Sequence, residues 1–150
     1  MDRKDPRTNN KSDNESMGAV MKALAGKNQM SYGGNGGSFS AVQDTGGQQV
    51  VIKSGSKIDS IQIGNNKYGG GGGGTSASFR IPQDGKFTIL RLCTNDDVVG
   101  YIKLVCDGVT YEAGKVTGDG DLSFGTGLTV SFAGFASGSM IDMILFNTYY

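Results

Sequence analysis

The sequence has no histidine and no tryptophan, and only two cysteines and two prolines among 150 residues. Without histidine it lacks the commonest general base and a frequent metal ligand, so any catalysis would depend on carboxylates or cysteine. The glycine-rich runs contain no GxxxxGK[ST] motif, so a phosphate-binding Walker loop is absent. The adjacent Asp96 and Asp97 could act as a general acid and a general base only if their surroundings differed, and nothing in the sequence indicates such a difference. We therefore expect a protein that is not an enzyme and uses no metal or cofactor.

Long apolar runs and an excess of positive charge are also missing. No stretch approaches the ~18 apolar residues of a membrane span, and the polar first 16 residues lack the apolar segment of a secretory signal. Lys and Arg number 14 and so do Asp and Glu, which excludes the basic surface typical of nucleic-acid binding. We expect no membrane span, no nucleic-acid partner, and a cytoplasmic or non-classically secreted protein.

Glycine is abundant, with 26 residues, more than twice the usual share of ~7%. Only two of these lie in the first 30 residues, which leaves 26 − 2 = 24 in residues 31–150. So much glycine argues against a helical fold. The change in composition predicts a polar N-terminal tail, residues 1–30, followed by one domain over 31–150.

Within the tail, Met17, Val20, Met21 and Leu24 follow the i, i+3, i+4, i+7 pattern of an apolar helix face. The pattern predicts a short amphipathic helix over residues 15–26. A helix of about three turns is marginally stable alone. It therefore either docks on its own domain or on a partner, or it remains frayed.

From Gln48 onward the apolar residues alternate with a period of two, which is typical of β-strands. Clusters of Gly, Asn, Asp and Ser separate the runs, and no helical pattern lies between them. These features predict an all-β domain with free, buried thiols at Cys93 and Cys106. The runs are QQVVIKSG, DSIQIG, SASFRIP, KFTILRLC, YIKLVCDG, GVTYEAG, DLSFG, LTVSFAG and MIDMILFNTYY.

Two elements of the sequence occur twice. Glycine-rich runs follow a tyrosine at YGGNGG (32–37) and YGGGGGG (68–74), and G-S-x-I-D occurs at 55–59 and 138–142, each time before an apolar strand. The repetition indicates one structural unit used at least twice. A single G-S-x-I-D could be only a tight turn whose Asp caps backbone amides and whose Ile enters the core.

The ordered set of these motifs across residues 31–150, from YGGNGGSF to LTVSFAGFASGSMIDMILF, resembles the jacalin-related lectins. This resemblance implies an all-β fold, a β-prism of three four-stranded antiparallel sheets with pseudo-threefold symmetry. It also implies non-catalytic binding of mannose- or glucose-type glycans and glycoproteins. Sites of this kind are weak one at a time, so a homo-oligomer with several sites is expected.

The resemblance implies two sugar sites, each built from a G-x-x-x-D loop and a glycine-rich loop. The first would use Gly138, Ser139, Met140 and Asp142 with the backbone of Gly37. The second would use Gly55, Ser56, Lys57 and Asp59 with the backbone of Gly74. An ionised carboxylate can accept hydrogen bonds from two vicinal hydroxyls, and glycine lets a backbone approach closely.

The sequence departs from the family pattern in its last third. The usual Tyr-Gly-Pro-Phe-Gly stretch is replaced by YEAGKVTGDGDLSFGTG, and Met140 stands where an aromatic residue is common. The chain continues back from the first glycine loop to Met1, which favours the mannose class over the galactose class. The departures also leave an alternative function, a structural or assembly subunit that uses the prism as scaffold and the tail helix for docking.

Overall fold

The computed structural model describes residues 28–149, which form eleven β-strands in antiparallel pairs. No helix in this part of the chain is long and apolar enough to cross a membrane. The strands are β1 Asn28–Gly33, β2 Ser38–Ala41, β3 Gln49–Ser54, β4 Ile58–Ile63, β5 Asn66–Gly69, β6 Gly74–Arg80, β7 Phe87–Asn95, β8 Val98–Cys106, β9 Val109–Gly114, β10 Gly120–Ser137 and β11 Ile141–Tyr149.

The strands form where apolar residues alternate with polar ones in the sequence. In β3, Val50 and Ile52 are fully buried while their neighbours are partly exposed, and in β6 Ala77 and Phe79 are buried between exposed residues. A strand places successive side chains on opposite faces, so this alternation supplies one core face and one solvent face. The all-β prediction is confirmed.

The strands assemble into two sheets. A four-stranded sheet has the order β5-β4-β3-β6, and a seven-stranded sheet has the order β1-β11-β10-β7-β8-β9, with β2 added to β10. The expected three separate four-stranded sheets are therefore not found in residues 28–149. The difference arises at β10, an 18-residue strand that spans the two runs DLSFG and LTVSFAG.

Strand β10 continues through two runs that the sequence predicts as separate strands. Its first part, Gly120–Ser123, pairs with β7, and pairing to β7 resumes at Leu128 after an irregular stretch that includes Gly127, with φ of 103°. From Thr129 to Ser137 the strand pairs with β11. Because pairing with β7 continues past the irregular stretch, β7 and β11 both belong to the same sheet as β10.

The core lies between the two sheets and receives side chains from both. Phe135 of β10 is fully buried and stacks on Tyr68 of β5, with 4.8 Å between the ring centroids. Cys93 and Cys106 are free and buried, as predicted. Burial raises the pKa of both thiols, which keeps them protonated and poorly nucleophilic at neutral pH.

The N-terminal edge of the domain is strand β1. It begins at Asn28, inside the segment that the composition assigns to the tail, and pairs from Asn28 to Gly33 with Thr148 to Met143 of β11. The helix predicted over 15–26 lies outside the described residues. Its docking role, and with it the assembly function, stays a prediction.

Candidate functional site

Three strand connections come together at one end of the domain. They are the β3–β4 connection (residues 54–59, the Asp59 corner), the β10–β11 connection (137–142, the Asp142 corner) and the β7–β8 connection (94–100, the Asp96 corner). Lys57 Nζ of the first corner lies 3.2 Å from Asp96 Oδ2 of the third. The backbone of Gly70, which precedes β6, packs directly against that of Ser139.

The Asp59 corner is a tight loop anchored in the core. The Gly55 N–H donates a hydrogen bond of 3.0 Å to the Lys57 carbonyl, and Ile58 is fully buried. Asp59 follows on the strand and is 8% exposed. The isoleucine of the motif thus fixes the loop, and the aspartate after it reaches the end of the sheet.

The Asp59 carboxylate lies against the backbone of the second glycine-rich loop. A β-carbon added to Gly72 would stand 2.9 Å from Oδ1, and one added to Gly73 would stand 2.5 Å from Oδ2. These distances are shorter than real β-carbon contacts, so side chains there would displace the carboxylate. Only glycine permits this approach.

The Asp142 corner repeats the same geometry. The Gly138 N–H donates to the Met140 carbonyl at 3.1 Å, and Ile141 is fully buried. A β-carbon on Gly36 would stand 2.7 Å from Asp142 Oδ2, and one on Gly37 would stand 2.7 Å from Oδ1. Two separate parts of the chain therefore form the same arrangement, in which a carboxylate lies against two glycines.

The Asp96 corner shares the backbone frame but lacks the carboxylate. Gly34 N–H donates to the Asp142 carbonyl at 2.8 Å, Gly70 N–H to that of Asp59 at 2.9 Å, and Lys115 N–H to that of Gly100 at 2.9 Å. By this correspondence, Gly100 occupies the aspartate position of the third corner. Asp96 and Asp97 instead form its turn.

That turn differs from the other two in length. Asn95 pairs with Val98 across Asp96 and Asp97, whose φ values are 52° and 64°, the conformation of a two-residue hairpin turn. The other corners have three residues between paired positions. Asp96 and Asp97 are both exposed at the tip.

The structure brings together most of the residues expected at the site, with one change of register. Gly37 lies beside Asp142, as expected, but Gly74 opens β6, and a β-carbon added there would meet no atom within 4 Å. Gly73 takes the corresponding place beside Asp59, with φ of 74° against 77° for Gly37. An alignment of the two glycine-rich loops on their tyrosines, Tyr32 and Tyr68, would have identified Gly73 in the sequence.

The remaining loop residues divide by exposure. Gly55, Ser56, Gly138 and Ser139 are exposed, while Met140 is partly exposed. The Lys57 side chain is 23% exposed and its ammonium pairs with Asp96. Its charge is thus directed to the neighbouring corner, a contact that sequence reasoning missed because it joins residues of different repeats.

The tyrosines before the two glycine loops serve the core rather than the surface. Tyr68 stacks on Phe135, and the Tyr32 hydroxyl donates a hydrogen bond of 3.1 Å to the Leu92 carbonyl. Burial raises the pKa of Tyr32, which keeps this donor protonated. Each glycine-rich loop therefore begins next to a tyrosine that is anchored in the core.

Within residues 28–149, no three metal-ligating side chains are arranged to hold an ion.

Comparisons with known proteins identify the fold. No protein-family model matches the sequence, and no curated protein matches it. Among solved structures, a variant of Malaysian banana lectin superposes with a TM-score of 0.64 at 24% identity, covering 83% of this chain and 98% of that one. A mannose-binding jacalin-related lectin from Ananas comosus gives 0.63 at 19% identity, covering 83% and 99%. Single-chain recombinant jacalin gives 0.58 at 13% identity, covering 83% and 95%.

Proposed function

Because the chain has the fold of the jacalin-related lectins, we propose that it binds glycans of the mannose or glucose type without catalysing a reaction. The observation that carries this proposal is the repeated pairing of a carboxylate, Asp59 or Asp142, with two glycines at the same end of the domain. The mannose-binding lectins among the similar structures support the sugar class.

The chemistry of the corners suits a pyranose ring. Neighbouring sugar hydroxyls each carry a donor and an acceptor, and one carboxylate accepts from two of them. Hydrogen bonds to an ionised group are about twice as strong as neutral ones. The exposed loop backbones at Gly36, Gly37, Gly72 and Gly73 provide surfaces without β-carbons that a ring can approach.

We propose two sugar sites per chain at this end of the domain. The Asp96 corner does not form a third, because Gly100 replaces the acceptor there. Two shallow sites facing the same direction can engage two branches of one glycan, and a homo-oligomer would increase this avidity further.

The test uses Asp59→Asn, Asp142→Asn and the double variant, titrated with methyl α-mannoside while amide NMR shifts are followed at both corners. Each single variant should lose binding at its own corner only, by about 5- to 150-fold, the value of about 1–3 kcal/mol for hydrogen bonds to a charged acceptor. Asp107→Asn, in the distant β8–β9 turn, is the matched control.

All of these variants should melt close to the wild-type temperature, because asparagine preserves the shape of the side chain. Binding at both corners that survives in a folded double variant would exclude the proposed sites. The absence of any mannoside or glucoside binding to the wild type would exclude the sugar class.

A further inference from the structure

A polar cleft of about 380 Å³ lies at the end of the domain opposite the three corners. Strand β3 begins there at Gln49 and β11 ends there at Tyr149, whereas both strands meet the corners at their other ends. Loops 42–48 and 82–86 form its walls. Its size falls in the range of small-molecule sites, about 300–1,000 Å³. Its polar side chains include Asp44, Thr45, Asp84, Ser131, Asn147 and Tyr149.

The two walls are locked together by backbone hydrogen bonds. Gly47 N–H donates to the Ile81 carbonyl at 2.8 Å, and Ile81 N–H donates to the Gln48 carbonyl at 2.9 Å. The backbone of Gly46 packs directly against the Gln83 carbonyl, an approach that a β-carbon would block. The cleft is therefore formed before any ligand enters, which lowers the entropy cost of binding.

The floor of the cleft contains an oriented chain of hydrogen bonds. Gln29 Nε2 donates to Asn147 Oδ1 at 3.1 Å, which directs Asn147 Nδ2 toward Ser131 Oγ at 3.0 Å. Ser131 Oγ lies 3.0 Å from the Tyr149 hydroxyl. Two hydroxyls share this last bond, so whichever one donates, the other retains a proton. The chain thus offers one hydroxyl donor to a ligand.

Thr45 is the second polar group of the floor. It lines the cleft and is 3% exposed, and its carbonyl accepts a hydrogen bond of 3.1 Å from Gln48 N–H. A hydroxyl carries both a donor and an acceptor. The Thr45 side chain is therefore suited to a ligand group that also donates and accepts.

The charges at the rim select the ligand class. Asp44 and Asp84 line the cleft, and Asp84 Oδ1 accepts a hydrogen bond of 3.0 Å from Lys86 N–H. The Lys86 ammonium lies 4.3 Å from the centroid of the Tyr149 ring. Two carboxylates against one ammonium engaged over an aromatic ring disfavour phosphates and other anions. The polar lining disfavours apolar ligands. A neutral polyol satisfies the hydroxyls and the carboxylates together.

We propose that this cleft is a separate binding site for one neutral saccharide unit, at the opposite end from the corner sites and independent of them. The chain then binds sugar at both ends. A single domain of this kind can link two glycans without forming an oligomer.

The test follows amide NMR shifts in loops 42–48 and 82–86 of the full chain while methyl α-mannoside, methyl β-galactoside and N-acetylglucosamine are added separately. At least one sugar should give saturable shifts there, both in the wild type and in the Asp59→Asn/Asp142→Asn double variant. Thr45→Val should weaken this binding about fivefold. A thermal melt of the variant checks that it is folded.

Asp84→Asn should also weaken binding, and Thr110→Val on the exposed β9 edge should not. The proposal is overturned if none of the three sugars produces saturable shifts in these loops, or if Thr45→Val and Asp84→Asn both bind like the wild type. Cleft binding in a wild type that shows no binding at either corner would contradict the proposed corner sites alone, and corner binding without cleft binding would contradict the cleft site alone, so the two proposals can fail separately.

Discussion

Gly73 and Gly74 are chemically identical neighbours with different structural roles. Gly73 has a φ of 74° and lies against the Asp59 carboxylate and the Ser54 backbone, whereas Gly74 is already in a strand with open space beside it. The repeated G-S-x-I-D motif located both aspartates in the sequence. The run of six glycines could not show which one faces Asp59, because identical residues carry no register information.

Gly73→Ala should destabilise the protein by about 1–2 kcal/mol, because alanine is strained at positive φ and its methyl group meets the carboxylate. It should also remove sugar binding at the Asp59 corner while leaving the Asp142 corner intact. Gly74→Ala is the matched control and should stay within about 0.5 kcal/mol. Urea unfolding and the mannoside titration measure both effects. Equal behaviour of the two variants would contradict the proposed geometry.

At the scale of strands, the β8–β9 hairpin contains a buried phenol that responds to pH. The Tyr101 hydroxyl donates a hydrogen bond of 2.6 Å to Glu112 Oε1 on the neighbouring strand. Burial, with this bond and the nearby negative charge, raises the pKa of Tyr101 to about 12 from its ordinary value of 10.0. The folded state thus favours the neutral, protonated phenol.

The raised pKa of Tyr101 predicts the direction in which the free energy of unfolding changes with pH. The stabilisation from Tyr101 should be fully present below pH 10 and should be lost as the pH rises through about 12. Tyr101→Phe, which cannot ionise, should therefore show a shallower fall in unfolding free energy over this range. Chemical unfolding at successive pH values measures it. Parallel pH curves for the two proteins would show that Tyr101 is not the titrating group.

Strand β10 shows what periodicity can and cannot predict about elements. The runs DLSFG and LTVSFAG were each recognisable as strands, and both are strands. Their continuation as one strand in one sheet depends on pairing with β7 on both sides of Gly127. Such bonds link residues far apart in sequence, so the local alternation of apolar and polar residues cannot predict them.

At the scale of the whole molecule, Phe135 connects the two sheets to the end of the domain that carries the three corners. It lies in the seven-stranded sheet, stacks on Tyr68 of the four-stranded sheet and contacts Phe132, with 5.2 Å between those ring centroids. Tyr68 leads directly into the second glycine-rich loop. Packing in the core and the position of the loop beside Asp59 are therefore coupled.

Phe135→Ala should cost about 3–5 kcal/mol of unfolding free energy, since it leaves a cavity in a closely packed core. It should also weaken sugar binding at the Asp59 corner more than at the Asp142 corner, because Tyr68 loses its partner. If the alanine variant does not fold, Phe135→Leu tests the same order of effects. Val109→Ala, at a site 50% exposed, is the control and should change stability by less than about 0.5 kcal/mol.

The sequence by itself determined the all-β class, the two acidic corners and the glycine loops that accompany them. These features are local, because strand period and turn chemistry depend on residues a few positions apart. Only the tertiary structure decided that Gly73 faces Asp59, that Gly100 stands in the third corner, and that loops 42–48 and 82–86 enclose a cleft. Each of these depends on strand register and on packing between distant segments, which the folded chain alone establishes.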